Sequence, residues 1–168
     1  MREKRNSDIL AAILGYALEA RCGEGGTHMN GVGHLTKLLL LELCKRTDRY
    51  ALEPDDIELI STAAGLHDIG KVLIPESILK KPGKLTAAEF ELVKQHTTLG
   101  ARLVAEMPAY QNEALVKYII EICLRHHERW NGEGYPDGLR GDECPIAAQV
   151  TAPVSYTHLR AHETGRNL

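Results

Sequence analysis

The feature that most constrains this chain is a period. Ile9, Leu10, Ile13, Leu14, Ala17 and Leu18 return at the three- and four-residue intervals of one helix face. Val32, Leu35, Leu38, Leu39 and Leu43 repeat that spacing in a second segment that opens near His28. A third begins at Pro54, a residue suited to a first helical position, with Asp55 and Asp56 where acids complement the helix dipole. Its apolar face is Ile57, Ile60, Ala63 and Ala64, and it ends near His67. Thr86-Ala87-Ala88-Glu89 is a capping box opening a helix expected to bury Phe90, Val93, Leu99, Leu103 and Val104. A further helix is expected from about Asn112 to His127, with Leu115, Ile119 and Ile122 inward. No segment alternates polar and apolar as a half-buried strand does. The fold expected is therefore all-α, a single helical domain with a core of ordinary size for 168 residues.

Breakers mark the loops. Ile74-Pro75 and Lys81-Pro82-Gly83 interrupt the helical period. Residues 131–141 hold four glycines and a proline, too many for a helix interior. Net charge is −3, which offers no broad surface for a polyanion, so a nucleic acid polymer is not an expected partner. The four cysteines lie about twenty residues apart or more, with no C-x-x-C pair, which argues against a zinc knuckle and for a reducing, cytoplasmic setting. Apolar runs such as Leu38 to Leu41 are far too short for a bilayer, so no membrane span is expected.

Chemistry concentrates in the histidines. Of eight, six precede residue 155, and most of those sit beside carboxylates or at helix ends. The set comprises Glu24 and His28, the adjacent pair His67-Asp68, His96, and His126-His127. Imidazole and carboxylate together suit zinc, manganese, iron or nickel. An adjacent His-Asp pair can offer a nitrogen ligand and a bridging carboxylate to two metals, and two metals about 3.5–4 Å apart can clamp a phosphate. Each element alone has a plainer explanation. Glu24 and His28 also fit an i,i+4 surface contact. His96 also fits a core or boundary histidine, and His126-His127-Glu128 a solvated helix end. Their joint occurrence on separate helices favours the metal site. His34 is read as a helix-surface residue.

The sequence is identified as a member of the HD-GYP subgroup of HD phosphohydrolases over about residues 8–154. The resemblance rests on His67-Asp68-Ile69-Gly70-Lys71, on Ile74-Pro75-Glu76-Ser77-Ile78-Leu79, on Lys81-Pro82-Gly83-Lys84-Leu85-Thr86, and on His96-x-x-x-Gly100. Above all it rests on the run from His126 to Leu139, which contains His126-His127-Glu128 and Gly134-Tyr135-Pro136. The resemblance implies an HD-domain helical bundle that binds two or three divalent metal ions, iron or manganese, and hydrolyses cyclic di-GMP to pGpG or GMP in second-messenger signalling. By position, His67, Asp68, His96, His126 and His127 become metal ligands, with Asp68 bridging, and Glu24 and His28 serve a third metal. Lys71 becomes a catalytic and substrate-binding group that meets a phosphate oxygen, as an ammonium one turn past the ligands is placed to do. Gly134, Tyr135 and Pro136 are linked in the family to substrate access and to signalling partners. A turn that only shapes the pocket rim is an equal alternative, since glycine and proline fix such turns. Full-length relatives carry an upstream receiver or sensor domain, and residues 1–7 read as the end of a linker into residues 8–154.

One segment departs from the pattern. Where the family reads a helix ending in a metal-binding aspartate, this chain reads Ala147-Ala148-Gln149-Val150-Thr151-Ala152-Pro153-Val154-Ser155, so the aspartate position falls on Ser155. A hydroxyl replaces a carboxylate poorly on a hard or borderline divalent metal. Pro153 sits inside the expected helix, at a typical cost of about 3 kcal/mol. Residues 155–168 are therefore expected to be a non-native or frame-shifted tail, with the last helices of the bundle missing and an apolar patch uncovered. Two alternatives to a cyclic di-GMP phosphodiesterase follow: an HD hydrolase of another nucleotide, and a catalytically impaired module that binds partners through the Gly134-Tyr135-Pro136 loop.

Overall fold

The computed structural model describes residues 2–22 and 28–165. In chain order they form α1 (Arg2–Cys22), α2 (His28–Arg46), α3 (Pro54–Ala64), a 3-10 turn (Ile69–Leu73), α4 (Glu76–Leu79), α5 (Ala87–Lys94), α6 (His96–Ala105), α7 (Ala114–Arg125) and α8 (Ile146–Gly165). Two shorter 3-10 turns lie at Pro108–Tyr110 and Gly141–Glu143. Among the described residues no strand forms, and the single bridge between Asn131 and Arg140 pinches the glycine-rich loop. The all-α expectation holds.

α3 is the central helix. Ile57, Ile60, Ala63 and Ala64 are buried along the face that its period predicts. They pack with Val32 and Leu40 of α2, Ala101 and Val104 of α6, Ile119 and Ile122 of α7, and Ala147 and Val154 of α8. The start of α3 is fixed by Pro54 and by a reciprocal cap in which the Glu53 amide donates to Asp56 at 3.0 Å. The Thr86–Glu89 capping box also forms: Glu89 N–H donates to Thr86 Oγ1 at 3.3 Å, and Thr86 N–H donates to Glu89 at 2.7 Å.

Three expectations are corrected. In α1, only Leu18 of the expected stripe is buried; Ile9, Leu10, Ile13 and Leu14 are each about half exposed or more. α1 touches the bundle through Leu18 and Cys22, which pack on Leu66 and Leu79. In α2, the inward face is Val32, Thr36 and Leu40, while Leu35, Leu38 and Leu39 face solvent. The Leu38–Leu41 run points apolar groups in every direction, so its period carries no phase. The helix expected to run on from Thr86 is two helices that break at Gln95, and Phe90 and Leu103 lie exposed instead of inward. The break re-aims the chain so that His96 starts α6 in the core, 1% exposed. His34 is exposed on α2, as its reading predicts. α8 continues through Pro153, which faces outward where the lost backbone donor is least costly.

Candidate metal centre

Three helices converge on Asp68. The end of α3 leads into His67 and Asp68, α6 begins at His96, and α7 ends at Arg125 just before His126 and His127. What lets α6 approach the turn at Asp68 is the absence of two side chains. A Cβ on Gly70 would fall on the His96 carbonyl oxygen and 2.5 Å from the Gly100 nitrogen. The glycines of His67-Asp68-Ile69-Gly70-Lys71 and His96-x-x-x-Gly100 are thus one backbone crossing, and that crossing sets Asp68 beside His96.

The resulting cluster brings ligand atoms of Asp68, His96, His126 and His127 within 4.8 Å of one another. His67 stands against the same carboxylate, with Nε2 3.2 Å from Asp68 Oδ2. His96 Nε2 lies 3.2 Å and His126 Nε2 3.7 Å from Asp68 Oδ1.

Proton positions follow from the backbone. Nδ1 of His67 donates to Ala64 O at 2.8 Å, Nδ1 of His96 to Val93 O at 2.6 Å, and Nδ1 of His126 to Ile122 O at 2.9 Å. A carbonyl only accepts, so in each neutral ring Nδ1 carries the proton and Nε2 carries the lone pair. These bonds orient the rings as second-shell carbonyls orient metal-bound histidines. Three lone pairs then point at a carboxylate, and His96 Nε2 and His126 Nε2 face each other at 3.3 Å. Converging acceptors of this kind call for a shared cation, and the imidazole and carboxylate donors suit a borderline divalent metal.

Charge states agree with that demand. Burial presses the His126 imidazole well below its ordinary range, helped by the neighbouring His127, and burial presses His127 down to about 3, helped by His96. Both rings are neutral near pH 7, so their nitrogens need not shed a proton to bind a metal. For Asp68, burial opposes the charged form, but neighbouring charge, the Lys71 ammonium foremost, outweighs it and holds the carboxyl well below the usual range. Lys71 Nζ sits 2.7 Å from Asp68 Oδ2.

The glycine-rich loop closes one side of the site. Tyr135 stacks on His127, with ring centroids 4.6 Å apart and planes 19° from parallel. Gly134 makes this possible, since a Cβ there would lie 2.6 Å from the His127 carbonyl oxygen. Pro136 lies beyond it, exposed at the rim. Burial pushes the Tyr135 phenol upward, with Asp68 adding to the effect. The sequence reading missed the residue that holds this loop. Glu128, read as a candidate solvated helix end, is 4% exposed. Its Oε1 accepts from the amides of Asp137 at 2.7 Å and Gly138 at 3.1 Å, and its Oε2 accepts from Leu139 at 2.9 Å. The signal was present: a carboxylate just before a glycine-rich loop whose amides have no helix or strand to satisfy them.

Not every expected residue joins the cluster. Glu24 and the side chain of His28 lie outside the described residues, so the expected third-metal pair stays an expectation. Ser155 is buried on α8, and among the described residues no α8 carboxylate enters the cluster. Beside His126 and His127 opens a cleft of about 490 Å³, bordered by Tyr135, Arg129, Phe90 and Lys94 and by Pro153 of α8.

The family model described as HD domain matches residues 27–164. A probable cyclic di-GMP phosphodiesterase of Vibrio cholerae is 41% identical over 88% of this chain and 34% of its own length. The cyclic di-GMP phosphodiesterase response regulator RpfG of Xanthomonas campestris pv. campestris is 37% identical over 89% of this chain and 36% of its own. A 3'3'-cGAMP-specific phosphodiesterase 2 of Vibrio cholerae is 37% identical over 89% of this chain and 26% of its own. The chain therefore spans about a third of the length of the relatives it matches.

Proposed function

The chain belongs to the HD domain family, and from that premise we propose that it is a metal-dependent phosphodiesterase that hydrolyses cyclic di-GMP to pGpG or GMP. The observation that carries the reading is the set of lone pairs from His67, His96 and His126 aimed at one buried carboxylate. His67, Asp68, His96, His126 and His127 would hold two divalent ions, iron or manganese, with Glu24 and His28 available to a third. When bound, such ions polarise a phosphoryl oxygen and make water acidic enough to attack at neutral pH.

The chain's own groups supply the rest. Asp68 remains ionised at working pH because neighbouring charge, the Lys71 ammonium foremost, outweighs its burial. Lys71, one helical turn from the cluster, is positioned to share its ammonium between Asp68 and a phosphate oxygen of the substrate. Tyr135, stacked on His127, limits how that ring turns and shields it from water on one face. The Gly134-Tyr135-Pro136 loop thus has a structural duty at the site, compatible with a further role toward signalling partners.

A second cyclic dinucleotide, 3'3'-cGAMP, stands beside the first because a relative of equal identity carries that name. Cys44, Cys123 and Cys144 form no disulfide among the described residues, and no helix among them is long and apolar enough to cross a membrane. Both facts support a cytoplasmic place of action.

The test is direct. The purified chain is loaded separately with Mn²⁺ and with Fe²⁺ under anaerobic conditions. It is then given cyclic di-GMP or 3'3'-cGAMP, and products are separated by chromatography. Linear dinucleotide or mononucleotide should appear, and should vanish in Asp68→Ala. Absence of turnover with either metal and either dinucleotide refutes the reading.

A further inference from the structure

The cleft beside the cluster has two residents that the metal centre does not use. Phe90 is the single phenylalanine of the chain and is 47% exposed, although its helical position marks it as an inward residue. Lys94, one turn later on α5, places Nζ 5.2 Å from the Phe90 ring centre and 5.4 Å from that of Tyr135. An ammonium between two aromatic faces is held where it is by cation–π attraction. Its only carboxylate contact among the described residues is Glu91 at 2.7 Å, a pair whose acid is 66% exposed and therefore adds little. Lys71 differs: it is 13% exposed and turned to Asp68.

Cations and acids are equal in number around the cleft. Arg129 adds a second cation. Of the two acids that border the cleft, Glu128 is occupied by three backbone amides, and Glu133 accepts from the Asn131 side chain at 2.7 Å. A cyclic dinucleotide carries two phosphodiesters, each with one negative charge. With one of them at the His–Asp cluster, the second needs its own cation some distance away, and the adjoining base needs a flat apolar face.

We propose that Phe90 and Lys94 form a distal subsite of the cleft, in which Lys94 meets the phosphate that is not being cleaved and Phe90 stacks a nucleobase. This rests on the dinucleotide reading above and adds what confers preference for a dinucleotide over a simple phosphodiester. Base stacking on an exposed aromatic is independent of base identity to a first approximation. The subsite therefore selects for two linked nucleotides and leaves the choice between cyclic di-GMP and 3'3'-cGAMP to other contacts.

The experiment compares cyclic di-GMP with methyl p-nitrophenyl phosphate, a diester with one phosphate and no ribose, in wild type, Lys94→Met, Lys94→Arg and Phe90→Ala. Lys94→Met should raise KM for cyclic di-GMP about tenfold, the usual scale for a lost charged hydrogen bond, with kcat within about twofold. Its kcat/KM for the small diester should not change. Lys94→Arg should restore KM to within about threefold, and Phe90→Ala should raise it by about five- to tenfold. An unchanged KM in Lys94→Met overturns the subsite. So does an equal fall on both substrates, which would place Lys94 in the scaffold of Tyr135. Wild type that cleaves the small diester but neither binds nor cleaves a cyclic dinucleotide overturns the functional reading along with the subsite. Dinucleotide turnover with a silent Lys94→Met removes the subsite alone.

Discussion

Replacing Glu128 by Gln isolates the loop clamp. The substitution keeps size and shape but turns one acceptor oxygen into an amide donor. The Glu128 carboxylate accepts three backbone N–H groups, two on Oε1 and one on Oε2. The better orientation of Gln keeps its carbonyl on Asp137 and Gly138. Its NH₂ then faces the Leu139 amide, donor against donor, in a site that is 4% exposed. One charge-assisted bond is lost, two become neutral, and a buried N–H is left without an acceptor. Hydrogen bonds to charged groups contribute about 1.5–3 kcal/mol and an unmet buried donor costs about 1–3 kcal/mol, so a net loss of about 2–4 kcal/mol follows. For a domain of this size that is roughly a 5–15 °C fall in Tm. Thermal melts of metal-free wild type and Glu128→Gln, followed by circular dichroism, read it out. The tryptophan at 130, within the loop, reports separately whether the loop has loosened. A Tm within 1 °C of wild type would show that the clamp contributes nothing and that the loop is held by other means.

Other perturbations test different links. Gly70→Ala forces a methyl group into the His96 backbone, so α6 must retreat from Asp68; a cost of about 1–3 kcal/mol is expected, together with weaker Mn²⁺ binding by calorimetry, and native affinity would refute the crossing. Leu40→Ala should cost about 2–5 kcal/mol in urea unfolding, while Leu38→Ala should cost under about 0.5 kcal/mol; the reverse order would put the other face of α2 inward. His127 is held near 3 in the fold, against about 6.5 when unfolded. Below pH 6.5 the unfolded chain therefore takes up a proton that the folded chain refuses, and metal-free protein loses stability as pH falls toward 3. Between pH 6.5 and 5 the loss is about 2 kcal/mol for this group alone, and equal urea midpoints at pH 7 and pH 5 would contradict the burial of His127.

The sequence was legible where chemistry and local geometry coincide. Ile57, Ile60, Ala63 and Ala64 form one narrow stripe between polar residues, so their period carries a phase and predicts the buried face. Thr86 and Glu89 satisfy each other's backbone amides within four residues, and no tertiary contact is needed to foresee it. The cluster of His67, Asp68, His96 and His126-His127 was legible because few pressures other than a ligand gather such groups. The faces of α1 and α2 were not legible. Leu38 to Leu41 supply apolar groups all round the helix, and the choice of Leu40 is made by α3, which the local sequence does not encode. The break at Gln95 has no glycine or proline to announce it. Glu128 escaped because its partners lie nine to eleven residues away, and only the closed loop returns their amides to it.

The central claim is that lone pairs on separate helices converge on Asp68 to share a cation. Mn²⁺ titration of the metal-stripped chain at pH 7.5, followed by calorimetry and by elemental analysis after desalting, tests it most directly. The account predicts retained metal in wild type and a loss of affinity of more than about a hundredfold in His126→Ala, since removing a direct ligand exceeds the tenfold to hundredfold effect of outer-shell changes. His34→Ala, on the exposed face of α2, should bind as wild type does. Metal retained equally by His126→Ala and wild type, or bound by neither, would contradict it.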